Sequence, residues 1–170
     1  MRAAVLSAYN EPLVIEELED PPLGPRDVRV QIDASGVCHS DLTVQKGGVP
    51  MPTPIVLGHE GSGTVLEIGK EVTRVKKGDQ VIASFIPACG LCFHCLRDES
   101  NLCETSSEGM IAGRGIRPDG STVFGMTGLG TFADVMTTGE ASLVKVDTDL
   151  PAEQLALIGC GVTTGVGAAL

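Results

Sequence analysis

Four cysteines, Cys89, Cys92, Cys95 and Cys103, fall at C-x2-C-x2-C-x7-C within a stretch, residues 86–128, that has little apolar periodicity. A segment with neither a period-two nor a 3.6-residue pattern has no face to bury, so apolar packing cannot be what orders it. Four thiolates held close together satisfy a tetrahedral zinc ion completely and leave no open position, the pattern of a structural site. A short lobe without a core then takes its order from metal–sulfur bonds. The bacterial ferredoxin spacing, C-x2-C-x2-C-x3-C-P, fits less well, because the last gap here is seven residues and Glu104 follows the last cysteine. His94 lies inside the loop and, with four thiols already present, is expected to be exposed rather than a ligand.

The remaining sequence has to supply one apolar core, since 170 residues is the size of a single domain. With no Trp, one Tyr and four Phe, that core is built from Val, Ile, Leu and Ala. Twenty-two Gly and ten Pro punctuate the chain with turns, which favours short strands over long helices. Val28, Val30, Ile32 and Ala34 alternate with Arg29, Gln31 and Asp33, the period of a half-buried strand. Further strands are expected at residues 1–7, 13–15, 63–68, 80–83, 132–136 and 142–146. Residues 47–54, Gly-Gly-Val-Pro-Met-Pro-Thr-Pro, form a stiff loop that excludes helix. Arg117-Pro118-Asp119-Gly120 reads as the turn of a short hairpin, and Pro151 opens a helix over 152–158. The fold class expected is mainly β with short helices.

The net charge of −10 argues against nucleic acid or an anionic membrane surface as partner. The one dense basic stretch, Lys70 to Lys77, alternates with Val72 and Val75 and reads as the solvated face of a strand. No apolar run approaches the roughly 18–20 residues that span a bilayer. The N-terminus runs straight into a strand with too short an apolar stretch for a secretion signal, so a cytoplasmic, reducing setting is expected. There, cysteines serve metal binding or catalysis before disulfides.

A second constellation flanks the Pro-rich loop: Cys38-His39-Ser40-Asp41 on one side and Gly58-His59-Glu60 on the other, with Cys160 far downstream. One His and two Cys can supply three protein ligands and leave the fourth zinc position open, which is a catalytic design. His59-Glu60 does not begin a zinc-protease helix, because Gly63 stands where the second His would be. Instead, Gly58-His59-Glu60-Gly61-Ser62-Gly63 with Gly69 and Val72 matches G-H-E-x2-G-x5-G-x2-V.

On that signature, the four-cysteine loop and Gly159-Cys160-Gly161-Val162-Thr163-Thr164-Gly165, the chain resembles the zinc-dependent alcohol dehydrogenases of the medium-chain dehydrogenase/reductase superfamily. The resemblance implies a GroES-like, partly open β-barrel over 1–150, with a structural-zinc lobe at 86–105. Residues 151–170 are then a helical segment leading toward a Rossmann domain that these residues do not contain. It implies that Cys38, His59 and Cys160 bind a catalytic zinc, and Cys89, Cys92, Cys95 and Cys103 a structural one. Asp41 resembles the acid that fixes the zinc-binding His, and Glu60 the carboxylate that can approach the metal. Ser40 resembles the hydroxyl that takes the alcohol's proton, His39 and Thr164 the contacts to the NAD(P) cofactor, and Phe85 and Met126 the walls of the substrate pocket. Where animal members end the proton relay on a His, this chain has Thr43, so the relay ends differently, with water and His39 as the two routes open to it.

The activity implied is oxidation of a small-molecule alcohol to an aldehyde or ketone with hydride transfer to NAD(P), by an oxidoreductase expected to be homo-oligomeric. The alternative is a stand-alone zinc-binding or interaction module without redox activity. Gly165-Val166-Gly167 imitates a dinucleotide fingerprint but lacks its third Gly and follows a helical segment. Two contacts, His39 and Thr164, are too few to order a dinucleotide. The 170 residues alone are therefore expected to show no dehydrogenase turnover and no tight NAD(P) binding. They are also expected to self-associate through Leu155, Leu157, Ile158, Val162 and Leu170. A steady-state assay of the isolated chain with alcohol and NAD checks this, and turnover above background overturns it.

Overall fold

The valine alternation at residues 28–34 becomes the strand on which the rest of the sheet hangs. In the computed structural model, which describes residues 1–107 and 109–170, β3 (Asp27–Gly36) pairs antiparallel with β5 (Glu60–Ile68) on one side and β9 (Val135–Gly139) on the other. β6 (Gln80–Ala83) and β10 (Leu143–Val146) complete this five-stranded sheet. Val28 and Val30 are buried as the alternation predicts. Ile32 and Ala34 are only half-buried, Ile32 still packing on the edge of the core, where register shifts at Arg29/Val30 and Ile32/Ala34 disrupt the ladder. Val65, Val81, Leu129, Met136 and Leu143 close over the same core. Each such side chain, fully buried, contributes about 1.5–3 kcal/mol.

A second five-stranded sheet runs β2 (Val14–Glu17), β1 (Arg2–Leu6), β4 (Ile55–Val56), β8 (Thr122–Gly125) and β7 (Gly113–Ile116). The β7–β8 hairpin turns at the expected place. The Gly120 N–H donates to the Arg117 carbonyl at 2.8 Å, and Asp119 accepts from the Ser121 N–H at 2.9 Å. Residues 131–134 stitch the two sheets together. Ala4 N–H donates to the Phe132 carbonyl, Phe132 N–H to Leu57, Ile32 N–H to Asp134 and Asp134 N–H to Arg2, all at 2.8–3.0 Å. The described residues thus form ten strands in an open, two-sheet arrangement with short helices, in agreement with the expected fold class.

Three local expectations need correction, and one helix was not expected at all. Residues 70–77 are a loop, not a strand: the lysines are exposed and only Val75 is buried. The strand expected at 132–136 begins at Val135, because 132–134 serve as the stitch. A helix that periodicity does not signal, α1 (His39–Gln45), follows β3; it starts because the Asp41 carboxylate accepts the Cys38 N–H at 2.9 Å, a capping arrangement. Leu155 is buried rather than exposed, since α2 (Ala152–Leu157) lays Leu155 and Ala156 against β3 and β5. The helix begins as expected but continues past it, through a π turn at Ile158–Val162 into α3 (Thr163–Ala169). Leu157, Val162 and Leu170 are exposed as anticipated, and Ile158 is half-buried.

The 70–77 loop is held by one carboxylate. Glu140 Oε2 accepts the Thr73 and Arg74 N–H groups at 2.8 and 3.0 Å. Burial pushes the Glu140 carboxyl up, but those two donors outweigh it and hold the group below its ordinary value of 4.5. Glu140→Gln should therefore cost about 1 kcal/mol near neutrality, read by urea denaturation. A depressed carboxyl stabilises above its unfolded value, so the difference between the two proteins should be full above pH 4.5 and vanish as pH falls below it. A difference that grows on acidification overturns this assignment.

Candidate metal centres and pocket

Three separate parts of the fold deliver the second ligand set. Cys38 stands at the turn between β3 and α1, His59 and Glu60 at the start of β5, and Cys160 in the π turn after α2. One ligand atom from each of the four lies within 4.8 Å of the others. His59, Glu60 and Cys160 are buried and Cys38 is half-buried.

Asp41 ties the first two parts together. Its Oδ2 accepts the Cys38 N–H and its Oδ1 the Gly58 N–H, both at 2.9 Å. Gly58 carries φ +90, and a Cβ there would run into Thr131 and Phe132, so only glycine lets the chain present His59 at this angle. His59 Nδ1 sits 3.3 Å from Asp41 Oδ1 but out of line for a good hydrogen bond, and it is buried with no other partner. With Nδ1 facing the carboxylate, Nε2 is left for the thiols. The His59 ring also meets Phe85 edge-on at 5.4 Å.

The electrostatics of this cluster call for a cation. Burial pushes Asp41 up and His59 down, yet their mutual attraction outweighs it, so the acid stays below and the imidazole above its ordinary value. The Ser40 N–H holds the Cys38 thiol down, while burial lifts Cys160 to about 11, with the charge of Cys38 adding to the rise. Two thiols and a carboxylate collected in a buried place are costly as anions unless a positive ion joins them. Two sulfurs and an imidazole with a carboxylate beside them are a donor set that suits zinc, so the residues fit the metal that the sequence implies.

A cavity of about 490 Å³ opens onto this cluster. His59, Cys160 and Ser40 are on its wall, and Phe85 and Met126 line it as the resemblance implied. The rest of the wall is mostly apolar, with Val49, Pro50 and Met51 from the Pro-rich loop and Met110 and Ile111 from the segment after the four cysteines. Sequence reasoning missed those five; the signal was available as apolar residues in stretches with no core periodicity. Ser40 Oγ lies 3.7 Å from Cys38 Sγ. Thr43 also lines the cavity, donates from Oγ1 to the His39 carbonyl at 3.0 Å, and reaches His39 Nδ1 at 3.3 Å. Thr164 and His39 are not brought together: Thr164 lines a separate cleft of about 590 Å³ with Phe85, Ile86 and Gly159, while His39 is exposed on α1.

The four remaining cysteines form the second cluster, again within 4.8 Å of one another. Cys89 Sγ accepts the Leu91 and Cys92 N–H groups at 3.3 and 3.2 Å, and Cys103 Sγ the Cys89 N–H at 3.4 Å. The Thr105 hydroxyl and that Cys89 N–H bring Cys103 down to about 6. The Gly90 N–H draws Cys95 the same way, but burial and the neighbouring thiols prevail and lift it to about 11. His94 is not among the four clustered thiols and is half-buried rather than exposed, with Nδ1 3.0 Å from Glu99 Oε2.

A β-domain with a closed thiol cluster and an open Cys–His–Cys cluster on an apolar cavity defines a class that comparison with known proteins makes specific. The alcohol dehydrogenase GroES-like domain profile matches residues 24–148, and the chain belongs to that family. It is 47% identical over 99% of its length to a Mycobacterium tuberculosis protein designated alcohol dehydrogenase D, and 40% identical over 99% to the class-3 alcohol dehydrogenase of Drosophila melanogaster. Among solved structures it is similar to the benzyl alcohol dehydrogenase of Acinetobacter calcoaceticus (TM-score 0.84, 34% identity, 99% of this chain and 47% of that one). A zinc-binding domain alcohol dehydrogenase protein of Burkholderia ambifaria superposes with TM-score 0.89 at 31% identity, covering 98% of this chain and 47% of that one. The chain spans about half the length of these relatives, 47% and 46% of the two curated ones.

The four-cysteine cluster supplies a direct test. Cys92→Ser should remove one of two zinc equivalents per chain by elemental analysis and unfold residues 86–105 in hydrogen exchange, leaving the β-sheets protected. Iron in place of zinc, or a fully folded protein with no metal, overturns the assignment.

Proposed function

We propose that the chain is the zinc-binding catalytic portion of an alcohol dehydrogenase that oxidises an alcohol to an aldehyde or ketone and passes hydride to NAD(P). The observation that carries this reading is the convergence of Cys38, His59 and Cys160, with His59 and Cys160 on the wall of an apolar cavity. A purely structural metal site is closed by its ligands and has no use for such an opening. The module spans 1–150, the helical segment 151–170 carries Cys160, and the protein takes two zinc ions, acts in the cytoplasm and assembles as a homo-oligomer.

When bound, zinc would supply Lewis-acid polarisation of the substrate oxygen. The chain's own residues do the rest. Asp41 fixes the His59 ring and the Cys38 backbone, so two of the three ligands are aimed before any metal arrives. Phe85, Met126 and the Val49–Met51 segment cover the cavity and keep water from the reacting carbon. Ser40, on the cavity wall beside Cys38, takes the proton that leaves the alcohol. Thr43 and His39, already hydrogen-bonded to each other, form a path from the cavity to the exposed face of α1, in place of the His found in animal members. His39 on α1 and Thr164, on the wall of the 590 Å³ cleft beside Phe85, are the residues that would contact NAD(P), which would supply the hydride acceptor.

Two substitutions separate these roles in a dehydrogenase assay of the complete enzyme paired with zinc analysis. Cys160→Ala should abolish turnover together with loss of zinc. Ser40→Ala should keep the zinc and lose about 10²–10⁴-fold in turnover, because proton removal alone is impaired. Near-normal alcohol oxidation by Ser40→Ala sinks the proton-transfer role.

A further inference from the structure

Gly36, the last residue of β3, stands directly opposite Glu60, the first residue of β5, in the antiparallel ladder. Facing Cβ atoms in such a pair are about 4.5–5.5 Å apart, so an extended glutamate would clear its neighbour. Glu60 does not extend. Its side chain folds back until Oε2 fills the place where a Cβ on residue 36 would stand, well inside contact distance. On the other side, Oε1 accepts the Gly161 N–H at 3.1 Å. The carboxylate is thus held between the end of β3 and the π turn that carries Cys160, and the residue is buried.

We propose that Gly36 is a positioning residue: the space it leaves, with the Gly161 N–H, keeps the Glu60 carboxylate back from the metal and the fourth coordination position free for substrate. The inference rests on the metal-site reading above and adds to it what holds that site open. A methyl group at residue 36 would expel Oε2, and the routes of escape are few. Leu157 Cδ2 already lies 3.1 Å from that Cβ position, and Glu60 is too buried to swing into solvent. The remaining space is the gap among Cys38, His59 and Cys160, whose ligand atoms are within 4.8 Å of a Glu60 oxygen. A carboxylate there would complete four protein ligands and turn an open site into a closed one.

Cobalt(II) substituted into the purified protein tests this through its d–d and thiolate charge-transfer bands, those lost in Cys160→Ala marking this site. Wild type and Glu60→Ala should share one spectrum, since a carboxylate held back is not a ligand. Gly36→Ala should shift the d–d bands and slow cobalt release to a chelator by about tenfold or more, the scale on which neighbours of a ligand set alter affinity. Gly36→Ala/Glu60→Ala should return both readouts to wild type, a rescue that simple strand damage at residue 36 cannot give. If Gly36→Ala fails to fold, the Glu60→Ala comparison decides alone: an unchanged spectrum supports the proposal and a changed one makes Glu60 a standing ligand and overturns it. A Gly36→Ala spectrum equal to wild type also overturns it while leaving the metal site intact. Absence of any Cys160-dependent band in wild type overturns the metal site itself, and this inference with it.

Discussion

The contact on which the site depends is the Asp41 carboxylate, shared between two backbone N–H groups and one imidazole. Its oxygens take the Cys38 N–H and the Gly58 N–H at 2.9 Å each and face His59 Nδ1 at 3.3 Å. Cys38 and His59 are far apart in sequence, separated by α1 and the Pro-rich loop, and no ladder pairs them directly. One buried acid therefore sets the spacing of two ligands. It also starts α1, because the bond that fixes Cys38 is the cap of that helix. The cost of burying the charge is offset by two backbone donors and the attraction of the facing imidazole, which is why Asp41 stays below its ordinary value although burial pushes the other way.

Two means of ordering coexist in the chain, and they divide it sharply. The sheets are held by apolar burial around Val28, Val30, Val65, Val81 and Met136. The loop that carries the four cysteines exposes its large apolar side chains instead: Leu91 is 80% exposed, Leu96 72% and Phe93 61%. Its internal contacts are N–H groups aimed at sulfur, two short 3-10 turns, the His94–Glu99 pair and Arg97 over the Phe93 ring, all near the surface. Such a lobe gains little from water exclusion, so a metal held by the sulfur cluster would be its strongest restraint.

These two means explain what could be read in the sequence. Strands showed through alternation at 28–34, 63–68, 80–83 and 142–146, and the 117–120 turn showed through Pro and Gly, because both signals are local. The candidate metal ligands showed through spacing and family resemblance, and the geometry brings each of the two sets together. What stayed hidden depends on contacts across the fold. α1 starts on a single cap, not on an apolar stripe. The 70–77 loop alternates like a strand, but Glu140, distant in sequence, holds it as a loop. Leu155 looked like part of an exposed tail, and only the packing of α2 on β3 and β5 buries it. Gly36 reads as an ordinary strand end until its cross-strand partner is known.

The third candidate ligand shows how far such contacts reach. Cys160 belongs to no strand, and its position is inherited from α2. That helix is anchored by Leu155 and Ala156 in the core and by Ser62 Oγ, which donates to the Ala152 carbonyl at 2.7 Å. After α2 the backbone widens into the π turn, a form frequent at functional sites. An uninterrupted α-helix would carry residue 160 around the axis by a different angle, because a π turn holds an extra residue. The turn also frees the Gly161 N–H for Glu60. Ligand placement and the restraint on Glu60 therefore come from the same local distortion, and a change that regularised this helix would disturb both together.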